Sequence, residues 1–314
     1  MKTYIVFIAI IVSNAVQAQK IEKYYDYQWK ECVPGAARFL SLINKTDSGW
    51  LREDYFVAAT KLQMKGLYED SGTHIANGFF YFYYSNGIVE SAGRNTHNKK
   101  EGLWLKFYRD GSLKDSTVYE NGTPAGTSIG WHQNGYLSDS IVFNNDGTSV
   151  EVNWFDNGVP ASAGRKKYGK MYGQWQFFHK NGKPAAIEVF DTGRLLSRRY
   201  YNEQGIELTD TTSQNRDAGF PGGSAGWKKF IMKHIYFPDQ YKLVNTSAVT
   251  VVVSAIIDED GNVTDPWVEV PFNSAFDNIA VSIFKKSPKW IPAIRYNRTV
   301  QQGVRQPITF SQEQ

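Results

Sequence analysis

Cysteine is nearly missing from this sequence: Cys32 stands alone among 314 residues, so no disulfide can form within one chain. With no histidine beside it in sequence, that thiol reads as a small buried residue rather than a nucleophile. Histidine is sparse as well. His74, His97, His132, His179 and His234 are scattered without the spacing of zinc ligands, so no metal site is expected. The acidic turns Asp258-Glu259-Asp260-Gly261 and Asn145-Asp146-Gly147 lack the full series of calcium ligands. No nucleophile elbow, phosphate-binding glycine loop or paired His-Glu motif occurs, which argues for a non-enzymatic chain without cofactor. An excess of one charge is lacking too. The 35 basic and 31 acidic residues leave a net charge of +4, with no clustered Lys and Arg that would mark a nucleic-acid surface.

Long apolar runs are confined to the first residues. Lys2 precedes the apolar stretch Tyr4 to Val12, and Val16-Gln17-Ala18 offers the small residues that a signal peptidase reads. Residues 1–18 are therefore expected to be a signal peptide, with an uncleaved anchor as the alternative. The run is shorter than the roughly 18 residues of a spanning helix, which favours cleavage. The expected compartment is the periplasm or cell envelope of a Gram-negative bacterium, with any membrane association made peripherally, through partners.

What the sequence has in plenty is aromatics, at 15%, and glycine, at 27 residues. Aromatic side chains favour pleated strands and glycine favours tight turns, so the bulk reads as β-rich. Turn dipeptides recur at Asn86-Gly87, Asp110-Gly111, Asn134-Gly135, Asn157-Gly158, Asn181-Gly182 and Gln204-Gly205, with glycines 24, 24, 23, 24 and 23 residues apart. Tyr83-Tyr84, Phe107-Tyr108, Trp131-His132, Trp154-Phe155 and Phe178-His179 precede them, and Tyr201 stands alone before the last. Asn-Gly supplies the positive φ angles of a type I′ turn, which predicts hairpins closed at these points. Phe80, Trp104 and Trp175 each lie seven residues before a turn glycine, and Gly78, Gly102, Gly126 and Gly173 open repeats. One hairpin buries too little to fold alone, so the units must stack into a meandering antiparallel array. His132 and His179 share the second aromatic slot and read as packing residues. The expected layout is a capping region at 19–51, hairpin repeats at 52–208, and a polar linker at 209–218. The pattern of aromatic pair, Asn-Gly, short strand and closing Gly resembles the bacterial MORN-type repeats of YwqK-like proteins. That resemblance implies architecture more than activity.

From residue 219 the pattern changes. Trp227, Phe230, Ile231 and His234 recur at helical spacing before Phe237-Pro238. Strands follow at Val249 to Ile257 and Val263 to Val270, and Ser274 is a candidate N-cap of a second helix. Its apolar face would be Phe276, Ile279, Ala280, Ile283 and Phe284, and a last strand runs from Val304 to Phe310. The landmarks Pro221-Gly222-Gly223, Phe237-Pro238, Val251 to Val253, Asp258 to Val263, Ser287-Pro288-Lys289-Trp290 and Pro307-Ile308-Thr309-Phe310 resemble, in order, the C-terminal domain of TonB-family energy transducers. The fold expected is mainly β plus α+β: the hairpin array, then a small two-helix, three-stranded TonB-like domain over 219–314.

The resemblance implies capture of an extended segment of an outer-membrane receptor by strand addition. Pro307 independently points to an edge, because proline cannot donate to a ladder. The expected peptide site is Val304, Arg305, Gln306, Ile308 and Thr309, with Arg305 and Thr309 on one face and Val304, Ile308 and Phe310 on the other. The array would be a spacer or docking surface. The alternative is a structural envelope scaffold, self-association included, in which both modules serve assembly only. Unless the first segment stays uncleaved, the transducer's membrane helix and Pro-rich spacer have no counterpart here, so the resemblance implies peptide capture rather than force transmission.

Overall fold

The structure, a computed structural model, describes residues 20–244 and 246–312. The expected signal peptide at 1–18 lies outside the described residues. Among those described, fifteen strands form one antiparallel sheet in strict sequence order. They are β1 Lys20–Tyr25, β2 Phe39–Thr46, β3 Gly49–Phe56, β4 Lys61–Tyr68, β5 Ala76–Tyr83, β6 Val89–Thr96, β7 Lys99–Phe107 and β8 Leu113–Glu120. The series continues with β9 Thr123–Trp131, β10 Leu137–Phe143, β11 Thr148–Trp154, β12 Pro160–Lys167, β13 Lys170–Phe178, β14 Pro184–Asp191 and β15 Arg194–Tyr200. The described part of the expected capping region, residues 20–51, supplies β1, β2 and the start of β3 of this same sheet. Both edge strands are partly covered by chain folding back: Glu31 bridges Tyr25 at one end, and Glu207 bridges Tyr201 at the other. Cys32 sits in the first of these return segments and is half-buried rather than buried.

Period two along each strand sets one face of the array. On that face Phe80, Trp104 and Trp175 are buried, and each lies over a glycine of the preceding strand: Gly66, Gly93 and Gly164. A Cβ at Gly93 or Gly164 would meet the indole at 2.2 Å, so these strands need glycine for space. The indole N–H groups are satisfied alike, Trp104 Nε1 donating to Arg94 O at 2.9 Å and Trp175 Nε1 to Arg165 O at 2.8 Å. The same slot holds Ser128 and Glu151 in the intervening repeats. The aromatic packing therefore splits into two clusters, one around Phe80 and Trp104 and one around Trp175 and Phe177.

The turns correct one expectation. At the Asn-Gly and Asp-Gly sites only the glycine has positive φ, as at Gly87 (91°), Gly111 (89°) and Gly182 (82°). Type I′ needs positive φ at both central residues. Here Gly87 N bonds back to Tyr84 O, Tyr84 N bonds to Ile88 O, and the register shifts at Phe82/Tyr83, giving a longer loop with a bulge. The cause is the Asn side chain: Asn86 Oδ1 accepts from Ile88 N at 3.1 Å and holds Asn86 in a right-handed turn. Adjacent pairs with positive φ instead lie at the opposite ends of the hairpins, at His97-Asn98, Asn121-Gly122, Tyr168-Gly169 and Thr192-Gly193.

Successive Asn-Gly loops are stitched together. Tyr84 Oη donates to Phe107 O at 2.9 Å and Tyr108 Oη to Trp131 O at 2.8 Å. His132 Nε2 and His179 Nε2 bond to Trp154 O and Tyr201 O at 2.9 and 3.0 Å. The second aromatic slot is thus a hydrogen-bonding position, which is why histidine replaces tyrosine there. Beside it Asn86, Asn134, Asn157 and Asn181 each donate Nδ2 to a carbonyl of the next loop.

The C-terminal unit holds α1 Gly223–His234, β16 Ala248–Ile257, β17 Val263–Val270, α2 Ser274–Lys285, β18 Ala293–Arg295, β19 Arg298–Val300 and β20 Gln302–Ser311. Its sheet has the order β17-β16-β20. The N-cap of α2 is Asn273 rather than Ser274, its Oδ1 accepting from Ala275 N at 3.0 Å. Phe276, Ile283, Phe284, Val251, Val253 and Ile308 are fully buried between the helices and one sheet face. The other sheet face rests on the array, where Val252 and Val270 pack on Phe39 and Phe56.

Candidate functional site

Strand β20 pairs with β16 over its whole length, from Gln302↔Ile257 to Ser311↔Ala248. Gln312 N continues the ladder to Ser247 O at 2.9 Å. Antiparallel ladders alternate, so this bond fixes the phase: even-numbered residues of β20 bond to β16, and odd-numbered ones turn their backbone groups outward. The outward N–H groups belong to Gly303, Arg305, Thr309 and Ser311. Pro307 falls in the outward phase, where its missing N–H removes no ladder bond. Among the described residues, no other backbone group bonds to these outward positions.

The five expected peptide-site residues therefore divide. Arg305 and Thr309 present backbone to the open edge, whereas Val304, Gln306 and Ile308 spend theirs on β16. Side chains follow the opposite rule of alternation. Ile308 and Phe310 are buried in the core and Val304 packs against it, while Arg305, Pro307 and Thr309 lie on the array-facing side and are exposed. Gln306 Oε1 accepts from Trp227 Nε1 at 3.2 Å, tying α1 to the strand. Arg305 Nε donates to Glu269 Oε1 at 2.9 Å, and Ser254 Oγ donates to Glu269 Oε2 at 2.6 Å.

Beside the second half of β20 runs a groove of about 870 Å³, bounded by Met232, Tyr236, Tyr241, Lys242, Thr309 and Ser311. Met232 and Tyr236 are 69% and 62% exposed, an apolar rim next to unpaired backbone. An extended chain laid here would meet hydrogen-bonding groups from the strand and apolar surface from the rim. Among the described residues no cluster of three His, Cys, Asp or Glu is placed to hold a metal ion, and no helix is long and apolar enough to cross a membrane.

A second set of residues escaped the sequence reading: the turn between β18 and β19. Tyr296 and Asn297, both at positive φ, carry it onto the array. Tyr296 stacks on Phe177 with ring centroids 3.7 Å apart, and Asn297 Nδ2 donates to Tyr201 O at 2.9 Å. Arg298 lies over the Phe155 ring at 5.0 Å and donates to Phe178 O and Ala161 O. Phe155 is the one occupant of the second aromatic slot without a hydrogen-bonding group, and Phe178 O is the acceptor that a Tyr or His there would reach. Arg298 supplies the donor that the repeat lacks. The break in the Tyr/His series at Phe155 was the signal visible in sequence.

No protein-family model matches the chain, and no curated protein matches it.

Proposed function

We propose that this is a non-enzymatic binding protein that captures an extended peptide segment by strand addition along the outer edge of β20. The carrying observation is a ten-residue strand bonded on one side only, beside a groove with an exposed apolar rim. Main-chain bonds would give affinity, and the groove would select alternate side chains of the guest. The resemblance of residues 219–314 to the TonB-family C-terminal domain supports this reading and names the guest: a segment of an outer-membrane receptor, met in the periplasm after export. The array then serves as spacer or docking surface. A scaffold role has one observation of its own in the packing of the C-terminal unit on the array, and it requires no guest.

Two proline substitutions test the proposal. Thr309→Pro removes an outward N–H and leaves the β16 ladder intact, as Pro307 does already. A photo-crosslinking residue in place of Ser311 should capture outer-membrane receptors in cells, and Thr309→Pro should abolish that capture without lowering the melting temperature by more than a few degrees. Ile308→Pro, which breaks the inner ladder, should unfold the unit. Capture of no receptor at all, or capture indifferent to Thr309→Pro, would leave the scaffold as the reading.

A further inference from the structure

Between the array and the C-terminal sheet lies a cavity of about 190 Å³, lined on one side by β5, β6 and the segment after β1, and on the other by β17 and β20. Its walls are aromatic. Trp29 stacks on Phe39 with centroids 4.0 Å apart and planes 7° apart, and Phe39 continues to Phe56 at 5.7 Å. Tyr83 and Tyr84 of the array and Trp267 of the C-terminal sheet complete the aromatic lining. Trp267 already carries one cation, the Arg109 guanidinium 5.5 Å from its ring centre.

Two carboxylates open onto this space, and their situations differ. Glu269 is satisfied by Arg305 and Ser254. Glu90 has no hydrogen-bond or ion-pair partner among the described residues. Its side chain stays exposed to solvent, and partial desolvation and then the charge of Glu269 raise its pKa, against a weaker pull from Lys114. The lining thus holds two acids and one base, and Glu90 is its one carboxylate without a bonded partner.

We propose that the cavity binds a small organic ammonium ion, its charge against Glu90 and its alkyl groups against Trp29, Trp267 and the two tyrosines. Aromatic faces attract such cations, and the attraction grows when both partners are desolvated. A metal ion fits the site poorly. Calcium or magnesium would demand six or more oxygen ligands, whereas this lining offers one uncommitted carboxylate among rings. The volume is below the several hundred Å³ of drug-sized pockets and suits a guest of a few heavy atoms. The proposal stands apart from peptide capture, because the outward backbone of β20 takes no part in it.

The test is titration of the full chain with tetramethylammonium chloride, read by tryptophan emission and indole N–H shifts. Sodium chloride at equal ionic strength, calcium chloride and the neutral isostere tert-butyl alcohol serve as comparisons. Saturable binding of tetramethylammonium alone is expected, with affinity about threefold weaker in Glu90→Gln, as for loss of one solvent-exposed charge contact. Trp29→Ala, at a position 40% exposed and so tolerant of truncation, should weaken binding severalfold in the same assay. Thr309→Pro should leave it unchanged. Equal response to tert-butyl alcohol or sodium, or undiminished binding in both Glu90→Gln and Trp29→Ala, would overturn the proposal.

Discussion

In the array an indole such as Trp104 covers one glycine of the neighbouring strand and shares its cluster with only Met64 and Phe80 among buried residues. In the C-terminal unit Phe276 meets rings from four directions, Phe237, Tyr241, Phe272 and Phe310, each 5.0 to 5.4 Å from its own. The array repeats a shallow contact along one dimension. The C-terminal unit closes one core in three. A one-dimensional assembly loses stability locally when a repeat is damaged, whereas a closed core loses it all at once. The middle of the array makes the point within a single sheet: Thr117 and Ser128 stand buried and bonded to each other at 2.6 Å, and Ser149 and Ser162 are buried nearby, with no aromatic cluster between the two flanking ones.

The largest expected effect tests the closed side of this comparison. Phe276 is fully buried, and Phe276→Ala should cost about 3–5 kcal/mol, the lost transfer energy plus the cavity. Urea unfolding should show the whole C-terminal unit melting earlier as one transition. If protection from hydrogen exchange fell only around α2, the core would not be the single unit described.

Next comes the local side. Gly164 has ordinary backbone angles, so Gly164→Ala adds only a methyl group against the Trp175 ring. Overpacking of this kind costs about 1–3 kcal/mol. Hydrogen exchange should accelerate in β12 to β14 and stay unchanged around Trp104, which belongs to the other cluster. Equal loss of protection at both ends would show that the array folds as one cooperative body.

A third substitution asks how the two regions hold together. Burial lowers the pKa of the Arg298 guanidinium to about 10, and its two carbonyl acceptors belong to the array. Arg298→Ala leaves Phe178 O without a donor, at a cost of about 1–3 kcal/mol. Phe155→Tyr in that background restores a donor by the geometry Tyr84 uses toward Phe107 O, and should recover array stability without recovering docking. A double-mutant cycle measures the coupling. Additive effects would mean that Arg298 does not stand in for the missing hydroxyl.

These tests also mark what could be read from the residues. The period of the turn glycines was enough for the order of the array strands, because consecutive hairpins leave few other pairings. The turn type was not, since Asn-Gly suits both I′ and bulged loops, and the choice rests on what the Asn86 side chain bonds. Pro307 marked β20 as an edge, but which of its residues face outward depends on a register with β16, across about fifty residues of intervening chain. The seat of Tyr296 to Arg298 lies further still from any periodic signal, and only the odd Phe155 hinted at it.

The smallest expected effect concerns Asp277, which sits on α2 close to the array's Arg38. Its carboxylate accepts from Phe272 N at 2.9 Å, yet burial outweighs this and Arg38 together and raises its pKa from 3.8 to about 6. The folded state therefore holds a proton between about pH 4 and 6 that the unfolded chain has released. By linkage the stability owed to this group is lowest above pH 6 and rises as pH falls toward 4. Buried acids elsewhere, Asp54 and Glu188, act in the same direction, while the exposed turn Asp110, held at about 2 by Ser112 and Gln133, opposes them only in stronger acid. Asp277→Asn isolates the single group, since its side-chain oxygen still accepts from Phe272 N and carries no charge. The stability difference between the parent chain and the variant, from urea midpoints, should shift in favour of the parent between pH 7 and 4.5. Parallel curves would mean that water reaches Asp277, and hence that the seam by Arg38 and Phe272 opens in solution while the core around Phe276 stays closed.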